Sequence, residues 1–444
     1  MARRRRKPKL PNYPVRASIE SLSHDGRGVT HIDGKAVFVD GALPGEEISF
    51  FYTARSRRYD EGRLCEIFSA SADRVEPRCA HFDICGGCSL QHMAADKQIL
   101  SRQQTLLDNL QRIGKVAPAR VLEPLTGPVW GYRHKARLGV KHVIKKGRVL
   151  VGFREKRKPY VADIERCEVL HPSVGERIGE LAQLVQGMQA RARIAQIEVA
   201  VGDQATVLVF RNLDPLSQAD TDQLVSYARQ TGLHIYLQPG GAASIELLWP
   251  QRSALAYCLP QFELELCFLP LDFTQVNPFI NQLMIRQALE LLELQGNERV
   301  LDLFCGLGNF TLPISRGSAH VTGVEGEAGL VQRATDNAAG NGVENVTFYV
   351  GDLSQDPVGQ PWMQRKYDRI LIDPPRSGAQ ELVPHLGSLD ARRVVYVSCH
   401  PGSLARDAGV LVNEQGYRLE AAGVMDMFPH TAHVESMALF VKGP

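Results

Sequence analysis

RVLDLFCGLGNFTLPIS, residues Arg299–Ser315, runs from an apolar segment through two glycines into the start of a helix. A short apolar run bounded by glycine is typical of a buried strand, and glycine lets the backbone approach a ligand closely. Similar strand-like runs follow at intervals and alternate with helical segments: HVTGVEG, VTFYVGDL, YDRILIDPPRSG and RRVVYVSCHP. This alternation predicts an α/β fold over residues 271–444, with a doubly wound, largely parallel, Rossmann-like sheet.

Acidic residues follow the next two strands of this pattern. Glu325 stands 19 residues after Gly306, where a carboxylate can accept hydrogen bonds from ribose hydroxyls. A dinucleotide site normally has the pattern G-x-G-x-x-G, but here the third position is Thr311. The two-glycine turn with Glu325 therefore favours S-adenosylmethionine. Asp352 ends the third strand, where the adenine edge is expected.

Two further motifs end strands at the same predicted edge of the sheet. Asp373 opens DPPRSG, and the two prolines would hold its carboxylate in a stiff turn. Cys399 directly follows the apolar run VVYVS and precedes a His-Pro-Gly turn. Taken singly, the first is an ordinary proline turn and the second a small buried apolar residue. Together, after a cofactor turn, they predict a substrate edge with a nucleophilic thiol, whereas many amino-group methyltransferases have Asn-Pro-Pro here.

Methylation of a carbon gives that thiol a function. Carbon 5 of uracil is a poor nucleophile until a thiolate adds to carbon 6, and a base must later remove the carbon 5 proton. The segment FPHTAHVESMALF offers Glu435 as this base, with His430 and His433 nearby.

A cysteine cluster, CAHFDICGGC, separates two parts of the chain. No apolar secretion signal and no run long enough for a transmembrane helix is present, so we expect a cytoplasmic protein with reduced thiols. Cys79, Cys85 and Cys88 form C-x5-C-x2-C, and Cys167 is a possible fourth member. Spacing alone leaves open an iron–sulfur cluster and a zinc site, with His81 or His92 as substitute zinc ligands. We interpret the remaining cysteines as ordinary apolar residues: Cys65, Cys258, Cys267 and Cys305.

Positive charge is concentrated in the first part of the chain. Residues 1–160 hold 31 Lys and Arg against 16 Asp and Glu, whereas residues 161–444 hold 20 against 33. This asymmetry favours a polyanion partner, and nucleic acid fits it best. We expect a disordered basic tail over residues 1–11, an OB-like β-barrel over 12–70 and a mixed α+β central domain over 71–270. A helix after the cysteines is expected to bury one apolar face: Leu100, Leu106, Leu107, Leu110 and Ile113.

Two resemblances to known families extend these interpretations. GRGVTHIDGKAVFVDGALPGE resembles the TRAM domain, an RNA-binding barrel, and VLDLFCGLGNF, DPPRSG, VSCHP and PHTAHVE resemble the RNA (uracil-5-)-methyltransferases. The likeness is greatest to the iron–sulfur branch that acts on 23S ribosomal RNA. It implies Cys399 as nucleophile and Glu435 as proton acceptor. It also implies a [4Fe–4S] cluster on Cys79, Cys85, Cys88 and Cys167, and S-adenosylmethionine contacts at Gln275, Phe304, Asn309, Glu325, Asp352 and Asp373. Asp352 departs from the Asn of some members, but a carboxylate can still accept from the adenine amino group.

The expected substrate is one uridine of 23S ribosomal RNA, flipped out of its fold before the subunit is fully assembled. No membrane and no obligate protein partner is expected. Two alternatives remain open. One is the same reaction on transfer RNA, although enzymes of that type generally lack the barrel and the cysteines. The other is a non-catalytic RNA-binding assembly factor, which leaves Cys399 and Glu435 unexplained.

Overall fold

The computed structural model describes residues 10–443 of the 444-residue chain. Within this range the chain forms two compact units. The first contains residues 10–82, 87–102 and 429–433, and the second contains residues 83–86, 103–428 and 434–443. Most of the basic tail predicted over residues 1–11 lies outside the described residues.

The first unit is built around a six-stranded sheet with the order β1-β5-β6-β4-β3-β2. Its strands are β1 Val15–Ser18, β2 Ser21–Leu22, β3 Gly28–Ile32, β4 Lys35–Asp40, β5 Glu47–Arg55 and β6 Asp60–Ser69. Only two residues separate β1 from β2, yet these strands stand at opposite ends of the order, so the sheet must curl until its edges meet. The predicted barrel is therefore present, and Val37, Ile48 and Phe50 fill its interior.

A buried ion pair fastens the segment that follows the barrel. Glu46 is fully buried and accepts hydrogen bonds from Leu43 N at 2.8 Å and from Arg74 Nε and Nη2 at 2.5 and 2.9 Å. Burial alone would raise the pKa of Glu46, but these donors bring it below its ordinary value. Removing Arg74 would leave a buried charge without its partner, which is strongly destabilising.

Helix α1, Ala95–Asn109, continues into a π-helical turn, Leu110–Gly114. The prediction for its buried face is wrong at two positions, because Leu100 and Ile113 are 50% and 51% exposed. The buried stripe instead has a spacing of four residues and includes two polar side chains: Gln98, Arg102, Leu106 and Leu110. In the first unit, Gln98 donates to Leu90 O and Met93 O and accepts from His430 N at 2.9 Å. The side-chain amide of Gln98 is thus buried through hydrogen bonds, at a position of the buried stripe where the periodicity of a helix leads one to expect an apolar side chain.

The second unit begins with a mixed six-stranded sheet of order β13-β12-β11-β10-β8-β9. Its strands are β8 Lys135–Val143, β9 Arg148–Gly152, β10 Ile194–Val201, β11 Thr206–Asn212, β12 His234–Leu237 and β13 Glu246–Trp249. Its helices are α2 Pro172–Gly175, α3 Ile178–Gly187 and α4 Gln218–Thr231. Apolar residues of α3 and α4 pack with Leu138 and Val140 of β8, so these helices cover one face of the sheet. A hairpin, β14 Leu255–Leu259 and β15 Leu264–Phe268, follows.

An eight-stranded sheet of order β18-β17-β16-β19-β20-β22-β21-β7 forms the rest of the second unit. Its strands are β7 Arg120–Val121, β16 Arg299–Leu303, β17 His320–Glu325, β18 Val346–Val350, β19 Arg369–Ile372, β20 Arg393–Ser398, β21 Tyr417–Met425 and β22 Glu435–Lys442. Its helices are α5 Pro278–Leu292, α6 Thr311–Ser315, α7 Ala328–Gly340, α8 Val383–Leu386 and α9 Pro401–Asn413. Strands β16 to β20 are parallel, and the order reverses between β16 and β19. Ligands of such sheets bind outside the carboxyl ends of the strands at this switch point.

Candidate active site

The turn after β16 lies at the switch point. Phe304, Gly306 and Gly308 all have positive φ, at 65°, 55° and 98°. This conformation is costly for a residue with a side chain. The hydrogen bond from Phe304 N–H to Val324 O, at 2.9 Å, helps to hold Phe304 in it. A Cβ at Gly306 would meet no atom within 4 Å. The backbone at Gly306 therefore borders open space that a ligand can enter.

The two acidic residues expected at the cofactor end their strands on the same side of the sheet. Glu325 is half-buried and accepts from Gly306 N and Glu327 N, both at 3.1 Å. Its carboxylate is thereby fixed beside the glycine turn. Asp352 is exposed, and its Oδ1 accepts from Ser354 N at 3.0 Å and Ser354 Oγ at 2.6 Å. These bonds hold the pKa of Asp352 below its ordinary value.

Asn309 is held from two other elements. Its amide exchanges a pair of 2.9 Å hydrogen bonds with Asn281 of α5, and its Oδ1 also accepts from Tyr257 Oη of β14 at 2.8 Å. Sequence reasoning missed both partners. Asn281 could have been found as a polar residue among the apolar positions of α5, whereas Tyr257 carries no such signal. Gln275, also expected at the cofactor, is half-buried two residues before the Asn277 cap of α5.

Three predicted residues come together at the next strand ends. Asp373 follows β19, Cys399 follows β20, and Glu435 begins β22. The register of the antiparallel pair β20–β22 sets Ser398 opposite Ser436, so Cys399 and Glu435 lie at the same edge. Charge interactions link Cys399 with Glu435 and Asp373, and Glu435 with Asp373. The sequence placed these side chains together correctly, because the ends of neighbouring strands share an edge.

Burial and mutual repulsion shift the titration of this group. Burial raises the pKa of Asp373 to about 7. Burial, with the charge of Asp373, raises the pKa of Glu435 to about 8. Burial, with the charges of Glu435 and Asp373, raises the pKa of the Cys399 thiol to about 11, while Arg376 opposes both of these last shifts. In the protein alone, the thiol is therefore protonated at neutral pH.

A carboxylate on α9 fixes the loop that carries Asp373 and Arg376. Asp407 is 1% exposed, and its Oδ2 accepts from Tyr396 Oη at 2.6 Å and from Ala379 N at 2.8 Å. Arg406 donates to Asp407 Oδ1 and to Ser377 O, both at 2.8 Å. The loop is therefore tied to the helix that begins two residues after Cys399. This network could not be predicted from the sequence, because a polar residue in the middle of a helix, such as Asp407, is normally expected to face solvent.

Two more residues escaped sequence reasoning. Arg376 lies within the quoted DPPRSG motif, but its role as the cation beside the thiol emerges only from the fold. Asp302 is fully buried in β16 and accepts from Thr311 Oγ1 at 2.5 Å, and burial raises its pKa to about 7. An acidic residue inside an otherwise apolar strand was a visible signal for Asp302.

The four cysteines of the predicted cluster lie in locally ordered segments. In the first unit, Cys79 N donates to Gln91 Oε1 at 3.1 Å, and Cys88 is buried. In the second unit, Cys85 and Cys167 belong to one apolar cluster. The backbone of Cys85 also forms an isolated antiparallel β-bridge with Glu155. Among residues 10–443, no group of three or more His, Cys, Asp or Glu side chains is arranged to hold a metal ion.

In the same range, no helix is long and apolar enough to cross a membrane.

The sheet is doubly wound and has an open glycine turn at its switch point. This is the architecture of Rossmann-like methyltransferases, so the fold and the site define that class.

Two family models match the chain. One described as tRNA (Uracil-5-)-methyltransferase matches residues 125–443, and one for the TRAM domain matches residues 13–49. The chain therefore belongs to the tRNA (uracil-5-)-methyltransferase family and is an S-adenosylmethionine-dependent methyltransferase with an N-terminal TRAM domain.

Individual relatives align over the whole chain. The 23S rRNA (uracil(1939)-C(5))-methyltransferase RlmD of Alkalilimnicola ehrlichii is 53% identical over 443 residues, which are 100% of this chain and 99% of that protein. RlmD of Methylococcus capsulatus is 54% identical over 441 residues, 99% of each. The structure of Pyrococcus abyssi tRNA (uracil-54, C5)-methyltransferase in complex with S-adenosyl-L-homocysteine has a TM-score of 0.74 and 23% identity, and covers 96% of this chain and 100% of that one. This structural likeness concerns the fold, and the predicted fold class is confirmed.

Proposed function

We propose that this enzyme methylates carbon 5 of one uridine in 23S ribosomal RNA through a covalent adduct between Cys399 and carbon 6. The observation that carries this proposal is the meeting of Cys399, Glu435 and Asp373 at the carboxyl edge of the sheet, beside the open glycine turn. Uracil methylation at carbon 5 needs both a nucleophile and a base, and this edge offers one of each. The ribosomal substrate is supported by the full-length relatives, which are named for it.

Cys399 and Glu435 have separate steps in this mechanism. The Cys399 thiolate would form a bond to carbon 6, which makes carbon 5 nucleophilic. S-adenosylmethionine, when bound, would supply the methyl group that carbon 5 accepts and would itself become S-adenosylhomocysteine. Glu435 next accepts the carbon 5 proton, the bond from sulfur to carbon 6 breaks, and the thiolate is released. Arg376 favours the thiolate, because its charge opposes the upward shift of the Cys399 pKa.

The proposed cofactor site extends along the strand ends from Asp373 to Asp352. Glu325 would bind the ribose hydroxyls and Asp352 the adenine amino group, each from the end of its strand. Phe304, Asn309 and Gln275 would contact the rest of the cofactor. The open space at Gly306 and the fixed orientations of Glu325 and Asn309 support this assignment.

We also propose that Cys79, Cys85, Cys88 and Cys167 hold a [4Fe–4S] cluster. The donor set fits, since four thiolates are the usual ligands of this cluster. All four thiols are at least partly shielded from solvent, because Cys85 and Cys88 are buried and Cys79 and Cys167 are partly buried. When bound, the cluster would contribute to folding through these four bonds. The domain limits at residues 70 and 270 and the cytoplasmic location remain predictions.

The direct test is methyl transfer to defined transcripts. The enzyme is incubated with labelled S-adenosylmethionine and either 23S ribosomal RNA or transfer RNA, and the nucleosides are identified by mass spectrometry. We expect 5-methyluridine in the ribosomal RNA at a single position, and background label in transfer RNA. Preferential labelling of transfer RNA would contradict the proposed substrate, and the absence of label from both would contradict the activity.

A further inference from the structure

The outer face of β8 borders an open cleft in the second unit. Ala136, Leu138 and Val140 pack into the core beneath α3 and α4. Successive residues of a strand point to opposite faces, so Arg137 and Lys141 extend from the other face of the sheet. Gly139 lies between them, and a Cβ there would lie 3.0 Å from Val161 Cγ2, so the glycine lets Val161 pack against the strand.

The cleft has the size of a ligand site. Its volume is about 650 Å³, and sites for small molecules typically have about 300–1,000 Å³. Strands β8 and β10 contribute the floor, and residues 153–161 contribute one wall. The lining side chains that matter here are Arg137, Lys141, Lys146, Arg154, Phe153 and Tyr160.

The cleft retains positive charge. Two of its cations are paired, Arg137 with buried Glu198 and Lys146 with Asp163 at 2.8 Å. Within the described part of the chain, no ion pair engages Lys141 or Arg154. The lining also contains one carboxylate, Glu155, which pairs with Lys158 at 3.0 Å. An anion in the cleft would therefore meet Lys141 and Arg154 as cations outside any ion pair, as phosphate contacts require.

The wall of the cleft is fixed by backbone pairing. Gly86 N donates to Arg154 O at 2.8 Å, and Lys156 N donates to Ile84 O at 2.9 Å. Glu155 N donates to Tyr160 O at 2.8 Å, which closes the loop. On this ordered wall the Tyr160 ring is 66% exposed. An exposed aromatic ring beside cations is the arrangement on which single-stranded nucleic acids stack their bases.

We propose that this cleft binds a nucleotide of a single-stranded segment of the substrate RNA, with phosphate at Lys141 and Arg154 and a base stacked on Tyr160. This inference rests on the proposed function, because it names where part of the RNA substrate is held. It requires no chemistry, only charge and stacking.

The test measures the affinity of the full chain for labelled oligouridylate at several salt concentrations, without S-adenosylmethionine. Lys141→Ala should reduce the slope of log affinity against log salt by about 0.7, the value for one phosphate contact on a single strand. Tyr160→Ala should weaken binding about 5- to 150-fold, whereas Tyr160→Phe should bind as the unaltered protein does. Arg229→Ala is the matched control, because it removes one charge from α4, on the covered side of the sheet.

Methyl transfer to 23S ribosomal RNA is measured in parallel. If the unaltered enzyme methylates uridine but Lys141→Ala and Tyr160→Ala bind oligouridylate as it does, the cleft proposal fails and the proposed function stands. If the unaltered enzyme does not methylate while both variants still lose affinity, the cleft stands as an RNA site and the proposed function fails. If Arg229→Ala loses as much affinity for oligouridylate as Lys141→Ala does, the effect is one of net charge and the cleft proposal is wrong.

Discussion

At the scale of single residues, the proposed mechanism depends on the protonation of Cys399 and Glu435. With pKa values of about 11 and about 8, both groups hold their protons at neutral pH in the protein alone. A positive charge nearby favours the deprotonated form of each group. The sulfonium of S-adenosylmethionine carries such a charge, so we expect cofactor binding to favour the thiolate and to precede adduct formation.

The first prediction concerns the pH dependence of the reaction. Glu435 can accept the carbon 5 proton only when it is deprotonated, so the rate at which the methylated adduct breaks down should rise with pH up to about 8 and then level off. An ordinary carboxyl would be ionised well below pH 6 and would give no such rise. The decay of the methylated adduct to free RNA, followed after a single turnover from pH 5.5 to 9, checks this, and a decay rate that is constant between pH 6 and 9 contradicts it.

The second prediction concerns stability and the same carboxyl. Because the pKa of Glu435 is higher in the folded than in the unfolded protein, the folded state loses stability as pH rises from about 4.5 to about 8, and the loss is constant above that. Glu435→Gln removes this cost. We expect its Tm to exceed that of the unaltered protein by roughly 1–3 °C at pH 8.5 and to equal it at pH 5, as measured by scanning calorimetry. If the Tm of Glu435→Gln exceeded that of the unaltered protein by more at pH 5 than at pH 8.5, the direction of the Glu435 pKa shift would be wrong.

At the scale of elements, helix α9 organises the substrate edge. It begins two residues after Cys399, and through Asp407 it holds the loop that follows β19. Gly378 in this loop is required by close packing, since a Cβ there would lie 2.6 Å from both Arg406 Nη2 and Asp407 Oδ2. The loop and the helix therefore form one packed element.

The third prediction tests Asp407 as a positioning residue. Asp407→Asn would turn an amide donor toward groups that are themselves donors, and the loop with Arg376 should shift. A displacement of about 1 Å can cost roughly 10²-fold in rate, so we expect adduct formation to slow by about 10- to 100-fold. Cofactor affinity, measured by calorimetry, should fall less than the adduct rate, because Asp373 is the only proposed cofactor contact on this loop and β16 to β18 are untouched.

Tyr396→Phe is the control for this prediction, because it removes only one of the donors to Asp407. It should slow adduct formation less than Asp407→Asn does. Equal losses of cofactor affinity and adduct rate in Asp407→Asn would indicate general unfolding in place of a positioning role.

The success of sequence reasoning differs between elements for physical reasons. The strand ends with Glu325, Asp373 and Cys399 were predictable, because apolar strands and their terminal residues are local features. The network around Asp407 and the pairing of Asn309 with Asn281 join distant segments through polar side chains, which no periodicity records. Helix α1 makes the same point, since Gln98 and Arg102 occupy the stripe where apolar side chains were expected.

At the scale of the whole molecule, the family and the fold were predictable because the motifs run from the barrel to β22. The barrel could be expected from short strands and turns, and its closure follows from the positions of β1 and β2. The wall of the cleft could not, because the pairing of residues 84–86 with residues 154–156 joins segments far apart in sequence.

The fourth prediction concerns the metal. If Cys79, Cys85, Cys88 and Cys167 hold a [4Fe–4S] cluster, protein prepared without oxygen should be brown and contain about four irons per chain. Cys88→Ser should lose iron and soluble yield together, because binding contributes to folding. Cys65→Ser, at an exposed cysteine outside the set, is the control and should keep its iron. Colourless protein with one zinc would favour a zinc site instead.

The covalent role of Cys399 is tested most directly by trapping on RNA. With 5-fluorouridine in place of uridine, Glu435 finds no proton to remove, so the methylated adduct should persist and survive denaturing electrophoresis. Glu435→Gln should accumulate the same adduct on ordinary RNA, because loss of a general base slows the last step about 10²–10⁴-fold. We expect the cross-linked peptide to contain Cys399 and the Cys399→Ala variant to form no adduct. Methylation of uridine by Cys399→Ala, or a cross-link at another residue, would contradict the mechanism.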